Sequence, residues 1–306
     1  MACGVCRSPR VRSVATVRSE IDGNEYDAMV CDGCGLVFAH PLPDLSFERL
    51  QGVYDADYTA SQRDVDAEAA TSRLLRDATH RQMEIVERFV GKGTALNVGA
   101  MSSASAVLVE RGWTLRVVEV SRYAAETARA RWGFDVTVSR IEDFEAPEGS
   151  FDFVKLGHVI EHLADPSLAL QRIAAMMRRG GVLLIDTDNA HGLRTQVEVA
   201  VRSVLGEKLA AKMVSRLTGK NLRTRYGRLI PPVHLYCFSE KNLTRLLESA
   251  GLEVATVYKP AWGDPTWFPL GDRAGMGVVE RSFLALDQLG ARIGRGEVIA
   301  IVARKP

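Results

Sequence analysis

Apolar residues along the chain follow two alternating rhythms. Short runs such as "TALNV", "LRVVEV" and "FDFVKLG" read as buried strands, and the pattern predicts strands at 94–98, 114–120, 135–138, 151–157, 182–187, 252–258 and 297–303. Between them, apolar positions recur at three- and four-residue steps and predict helices near 103–111, 122–132, 166–178, 239–250 and 277–291. A longer helical stretch from about Asp64 to Val90, with Leu74, Ala78, Met83, Ile85, Val86 and Phe89 among its apolar positions, delivers the chain to the first of these strands. Such alternation implies an α/β fold, a parallel sheet covered by helices on both faces. Ligands of such sheets bind beyond the carboxyl ends of the strands, where strand order reverses. Candidate chemistry is therefore sought just after the strands.

The first 45 residues have a different pattern. "VRSVATVRSEIDGNEYDAMV" is rich in Val, with Ile, Tyr and an Asp22-Gly23 turn, and predicts a hairpin. It is flanked by "CGVC" and "CDGCG". Two Cys-x-x-Cys turns joined by strands can gather Cys3, Cys6, Cys31 and Cys34 into the closed tetrahedron of structural zinc. A metal-free redox pair or an iron–sulfur cluster are the alternatives. A segment of about 40 residues builds little core, so a metal would supply most of its folding free energy. His40 lies near in sequence, but four cysteines already fill the shell, and it reads as a turn residue before "PLP". The predicted organisation is a zinc ribbon at 1–45, a linker and entry helices at 46–93, and a main domain at 94–306 carrying a basic helical insertion at about 192–230.

Composition changes this picture only locally. The chain has 306 residues, 46% hydrophobic and 25% charged, ordinary values for a globular protein with a sizeable core. Lys+Arg 39 against Asp+Glu 38 gives no whole-chain argument for nucleic acid or an anionic membrane. Residues 1–45 hold four basic and six acidic side chains, a poor phosphate binder, so the ribbon reads as a structural cap or substrate wall and no nucleic acid is expected as partner. No apolar run reaches the roughly 18 residues of a membrane span, and "MACGVCRSPR" lacks the layout of a secretory signal, which predicts a cytoplasmic protein. Residues 202–228 contain eight basic side chains and one acidic, beside Val197, Val201, Leu205, Leu209, Met213 and Leu217 at four-residue steps. This segment suits an anionic acceptor such as a nucleotide-linked sugar, or peripheral contact of 197–228 with an anionic membrane bearing a lipid-linked glycan. A solvated basic face is the plain alternative.

Several strand ends carry candidate chemistry. Gly99 follows the first strand, and Glu119 ends the second at an offset of 20, where an acidic side chain can accept hydrogen bonds from ribose hydroxyls; a solvated glutamate is the alternative. Arg140, Ile141 and Glu142 follow the third strand, where they can border an adenine. In "FDFVKLGHVIEHLADP" a strand ends at Gly157 and is followed by His158, Glu161 and His162, with Asp165-Pro166 opening the next helix. The spacing of these histidines departs from helical zinc sites, so no metal is expected there. Cys237 reads as a small buried apolar residue.

These residues together resemble the class I S-adenosylmethionine-dependent methyltransferases, in particular a bacterial group with an N-terminal zinc-binding segment. The likeness is carried by "CDGCGLVFAHPLPD" with "YDADY", by "GHVIEHLADPSLALQRIAAMMRRGGVLLIDTDNAHG", and by "PPVHLYCFSEKNLTRLLESAGLEV". It implies a Rossmann-like seven-stranded sheet whose last strand, "EVIAIVAR", inserts antiparallel. It also implies S-adenosylmethionine as cofactor, held by Asn97, Gly99, Ala100, Met101, Glu119, Val120, Ile141, Glu142, Gly157 and His158, with His158 and Glu161, further catalytic candidates, beside its methionine part. Tyr54 and Tyr58 would close over it. His234 matches the position where related sugar C-methyltransferases place a histidine over the substrate, and it is the first candidate for a catalytic base. The first loop departs from the family's Asp-x-Gly-x-Gly-x-Gly: Asn97 stands for the acid, and Met101 and Ser103 replace glycines. A relative of this fold that has lost cofactor binding and acts as a partner or ligand-binding protein is the alternative reading.

Overall fold

The computed structural model describes residues 2–19, 21–61, 65–99, 103–206, 209, 229–267 and 277–306. Its first forty residues form β1 (Val11–Arg18), β2 (Glu25–Cys31) and β3 (Val37–His40), followed by two entry helices, α1 (Phe47–Ser61) and α2 (Val65–Val86). The main body then alternates: β4 (Thr94–Val98), α3 (Ser103–Glu110), β5 (Thr114–Glu119), α4 (Arg122–Trp132), β6 (Asp135–Val138), β7 (Phe151–Gly157), α5 (Pro166–Met176), β8 (Met177–Asp188) and α6 (Leu193–Leu205). It closes with β9 (Tyr236–Cys237), α7 (Glu240–Ser249), β10 (Glu253–Tyr258), α8 (Val278–Arg292) and β11 (Val298–Arg304).

The seven-stranded sheet has the order β10-β11-β8-β7-β4-β5-β6. β4, β5, β6, β7 and β8 run parallel, while β11 lies antiparallel between β8 and β10, as the resemblance implied. The order reverses at β4: the chain moves outward to β5 and β6, then returns to β7 on β4's other side. That reversal is where such sheets open a crevice.

Local chemistry sets the helix ends. The Ser121 hydroxyl accepts from the Ala124 N–H to start α4, and Gly133 closes it in the left-handed region at φ 68°. Asp165 accepts from the Leu168 N–H ahead of Pro166, which needs no donor at a first-turn position. Ser239 and Asn242 form a capping box for α7. Two expectations are refined. The single helix expected over 64–90 corresponds to α2, which ends at Val86. Strand β8 starts at Met177, where a helix was expected to continue to 178, because Gly180 (φ 77°) and Gly181 let the chain bulge tightly against β7; a Cβ at Gly181 would sit 2.7 Å from the Arg178 carbonyl.

The N-terminal strands belong to a second sheet, ordered β1-β2-β3-β9, whose last strand comes from the far side of the sequence. Val37 pairs with Cys237 and Phe38 with Tyr236. One apolar cluster runs from Leu36, Phe38 and Cys31 through Leu235 and Phe238 to Leu163, Ile173 and Leu246, so the two sheets share a core. Cys237 is buried, as expected. Of the basic segment 202–228, residues 207–208 and 210–228 lie outside the described residues, and its Arg202 is buried at 1% exposure, not on a solvated face. Among the described residues no helix is long and apolar enough to cross a membrane.

Phe238 is fully buried at the junction, its ring 5.8 Å from that of Tyr236. Phe238→Ala is expected to lower the unfolding free energy by about 3–5 kcal/mol. Urea denaturation followed by tryptophan fluorescence tests this, and a loss under about 1 kcal/mol would show that the junction is not packed as a core.

Candidate functional site

At the strand-order reversal lies a cavity of about 350 Å³, lined along its floor by the ends of β4 and β5 and the loops after β6 and β7. Gly99 borders it with φ 102°, a conformation an L side chain rarely adopts, and a Cβ built there would meet nothing within 4 Å. The loop is held from behind. Asn97, buried at the end of β4, donates through Nδ2 to the Gly99 carbonyl (2.7 Å) and to Ser105 Oγ (2.9 Å), stapling the turn to α3. Glu119 ends β5 at the cavity wall, buried, and its Oε1 accepts from the Ser121 N–H (2.8 Å). Val120, Ile141 and Glu142 continue the wall, with Glu142 Oε1 accepting from the Ala164 N–H (3.1 Å).

Opposite stands a cluster of titratable side chains. His158 follows β7 with φ 49°, so its ring turns back over the site, where it stacks on Trp262 at 6.1 Å. Its Nδ1 lies 3.1 Å from Glu161 Oε1, and its Nε2 3.7 Å from Asp186. Burial disfavours the imidazolium, but the Glu161 hydrogen bond and the carboxylates of Glu161, Asp186 and Asp188 outweigh it and raise the His158 pKa to about 9. Burial likewise opposes charge on Glu161, yet His158, His162 and His234 hold its carboxyl well below the usual range. His162 donates through Nδ1 to the Val233 carbonyl (2.9 Å), tying the turn at Ile160–His162 to the 231–234 loop. His234 meets His162 edge-on at 4.7 Å, with Nδ1 4.0 Å from Asp188. The groups Glu161–His162–His234 and His158–Glu161–Asp188 each bring ligand atoms within 4.8 Å of one another. The spacing within "GHVIEH" gave no sign of these groupings, since His234 and Asp188 join from other elements.

The four cysteines come together as the spacing predicted. Cys3 and Cys34 sulfurs are 3.7 Å apart, Cys6 and Cys31 3.4 Å, and all four lie within 4.8 Å of one another, without disulfides. A tetrahedral zinc with Zn–S bonds of about 2.3 Å sets its sulfurs about 3.8 Å apart, so this donor set fits that ion. Burial opposes the thiolates and drives Cys3 and Cys34 up. At Cys31, the N–H groups of Cys34 and Gly33 and the Cys6 thiol overcome it and bring the pKa to about 7.

Of the residues expected around the cofactor, Gly99, Glu119, Val120, Ile141, Glu142 and His158 line the cavity, and His234 closes it. Asn97, Gly157 and Glu161 do not line it; Asn97 and Glu161 bond to Gly99 and His158, which do. Ala100 and Met101 fall outside the described residues, as does the Tyr58 side chain, whereas Tyr54 lines the cavity. Asp186, Asp188 and Trp262 were missed. The two aspartates were visible only as the polar end of "LLIDTD", and nothing local set Trp262 apart.

A seven-stranded sheet with its last strand reversed and a cavity over the β4 reversal defines the class I methyltransferase architecture. Residues 62–257 match the methyltransferase domain family, and the chain belongs to that family. It is similar to proteins named ubiquinone biosynthesis O-methyltransferase: 29% identical over 168 residues to that of Chelativorans sp. (strain BNC1), covering 53% of this chain and 54% of the relative, and 28% identical over 172 residues to that of Xanthomonas campestris pv. campestris (strain B100), covering 56% and 65%. The chain thus spans between half and two thirds of the length of these relatives. In fold it is similar to a chain of the complex between the Haloferax volcanii Trm112 methyltransferase activator and a methyltransferase, with TM-score 0.50 and 15% identity, covering 80% of this chain and 99% of that one.

The His158–Glu161 pair fixes a pH dependence. His158 keeps its proton to about pH 9 in the fold, against an ordinary value of 6.5, so its contribution is complete below about 6.5 and is lost as pH rises to about 9. Stability is expected to fall across that window, and His158→Gln to flatten part of the fall. Urea midpoints for both proteins at pH 6, 7.5 and 9 check this; parallel profiles would remove the ion pair from the account.

Proposed function

We propose that this protein transfers a methyl group from S-adenosylmethionine to a hydroxyl of a small-molecule acceptor. The observation that carries the reading is the order of groups around one cavity. A glycine turn after β4, an acid at the end of β5, Ile141 and Glu142 after β6 and His158 after β7 succeed one another along its wall, with His234 facing them. Family membership and relatives named O-methyltransferases support the same reading.

In this reading Glu119 accepts the ribose hydroxyls, Ile141 and the backbone beside Glu142 border the adenine, and Gly99 lets the loop approach the amino-acid end. The sulfonium cofactor, when bound, supplies an electrophilic methyl and leaves as a neutral thioether. The chain's own residues then have two tasks. One is to hold the acceptor oxygen in line, since positioning dominates this chemistry. The other is to take the hydroxyl proton, which His234 accepts on a ring nitrogen with Asp188 nearby to favour the imidazolium. His158, already paired with Glu161, is a positioning residue rather than a base. Structural zinc at Cys3, Cys6, Cys31 and Cys34 completes the proposal, its charge relieving four crowded sulfurs.

Calorimetry with S-adenosylmethionine tests the core of this reading. Glu119→Ala is expected to weaken binding about 10- to 100-fold, and His234→Ala to leave binding intact while slowing turnover about 10²- to 10⁴-fold. Failure of the wild-type protein to bind at millimolar cofactor would refute the enzyme reading. For the metal, a mercurial titration is expected to release one zinc per chain, and Cys34→Ser to abolish it and lower the melting temperature by several degrees; metal-free protein of unchanged stability would refute the zinc site.

A further inference from the structure

Beyond the cofactor cavity lies a second, larger hollow of about 510 Å³, within the size range of small-molecule sites. The two adjoin: Leu50, Tyr54 and Val233 line both. The hollow is built from four parts of the chain, namely the β1–β2 hairpin tip, the 41–45 linker, α1 and the 232–233 loop. Its floor is apolar, with Pro43, Leu45 and Val53 beside the three shared residues.

Its polar lining has one dominant sign. Asp22, Glu25 and Asp44 face Arg49 alone. Burial works against charge on Asp22, but the Tyr26 hydroxyl (2.6 Å) and the Asn24 N–H (3.1 Å) donate to it and hold its carboxyl below the usual range. The Ser46 N–H, at 2.9 Å, does the same for Asp44. A concave wall with low-dielectric backing concentrates the field of the carboxylates that line it.

Resting on the methyltransferase reading, we infer that this hollow is the acceptor site and that it takes an amine-bearing hydroxy compound, its ring or aliphatic body on the apolar floor and its ammonium among Asp22, Glu25 and Asp44. Such a molecule bridges from the carboxylates past Tyr54 to His234. The ribbon is then one wall of the acceptor site, and it selects by charge. The sign is opposite to that suggested by the basic segment 202–228, because the residues that line the hollow are acidic.

Three phenols of one shape and different charge provide the test: tyramine, para-ethylphenol and para-hydroxyphenylpropionate. Each is titrated by saturation-transfer NMR against the full-length protein saturated with S-adenosylhomocysteine, whose own binding is recorded in the same sample. Binding is expected in the order cation, neutral, anion, with the cation favoured over the anion by about tenfold, and the double variant Glu25→Gln/Asp44→Asn is expected to cut that preference by about fivefold. Both substituted side chains are exposed, so the fold should be retained, and the variant's S-adenosylhomocysteine affinity reports that directly. Equal binding of the three probes, preference for the anion, no binding of any up to about 20 mM, or a preference untouched by the double variant would each overturn the acceptor assignment while leaving the methyltransferase reading in place. Failure to bind S-adenosylhomocysteine would overturn both.

Discussion

Glu161 sits wholly inside the protein, 1% exposed, in the short turn that follows β7. A carboxylate in that position needs compensating charge, since the cost of leaving one alone in the interior is several kcal/mol. His158 supplies it from three residues away, and it does so from φ 49°, a backbone conformation few non-glycine residues take. The main chain of the same residue makes the other decisive bond: the Glu161 carbonyl accepts from the Leu235 N–H (2.8 Å), whose own carbonyl accepts from the Ala39 N–H (2.9 Å). One residue thus aims a histidine at the cavity with its side chain and ties the 231–238 segment, and through it the N-terminal sheet, to the body with its backbone.

The interior beneath continues in the same manner. Asp186 lies under His158, its carboxyl raised by burial against the opposing pull of Lys155 and His158, and Lys155, half-buried and depressed by desolvation, donates to Gln82 at 2.6 Å. A ladder of polar groups therefore runs from α2 across the centre of the sheet to the cavity. Such ladders add little net stability, but they discriminate against shifted packings, because any slip leaves a buried charge without its partner. Rigid placement of His158 follows from this arrangement.

Much of the fold was legible because alternating strand and helix periods are local signals. The ends of β4, β6 and β7 fell where the apolar runs stopped, and the caps at Ser121, Asp165 and Ser239 are written in single residues. The four cysteines and Glu119 were legible for a related reason: fixed spacing translates directly into geometry. What escaped was everything made by joining distant segments. Asn97 stood among the expected cofactor residues, and its hydrogen bonds to Gly99 and Ser105, which hold the loop from behind, rest on a side-chain direction that sequence does not carry. Trp262, Asp188 and the pairing of β3 with β9 depend on contacts across scores of residues, which no window of sequence contains.

The two-residue strand β9 carries a consequence for how the chain comes to be folded. Strand β3 is synthesised early, yet its outer edge finds Tyr236 and Cys237 only roughly 200 residues later. During that interval the N-terminal hairpin presents an uncovered strand edge and the apolar side of Phe38 to whatever surrounds the ribosome. Metal capture by the cysteines would restrain this edge locally, but only arrival of the 231–238 segment covers it. A part of the protein made well before β9 is therefore among the last to be finished.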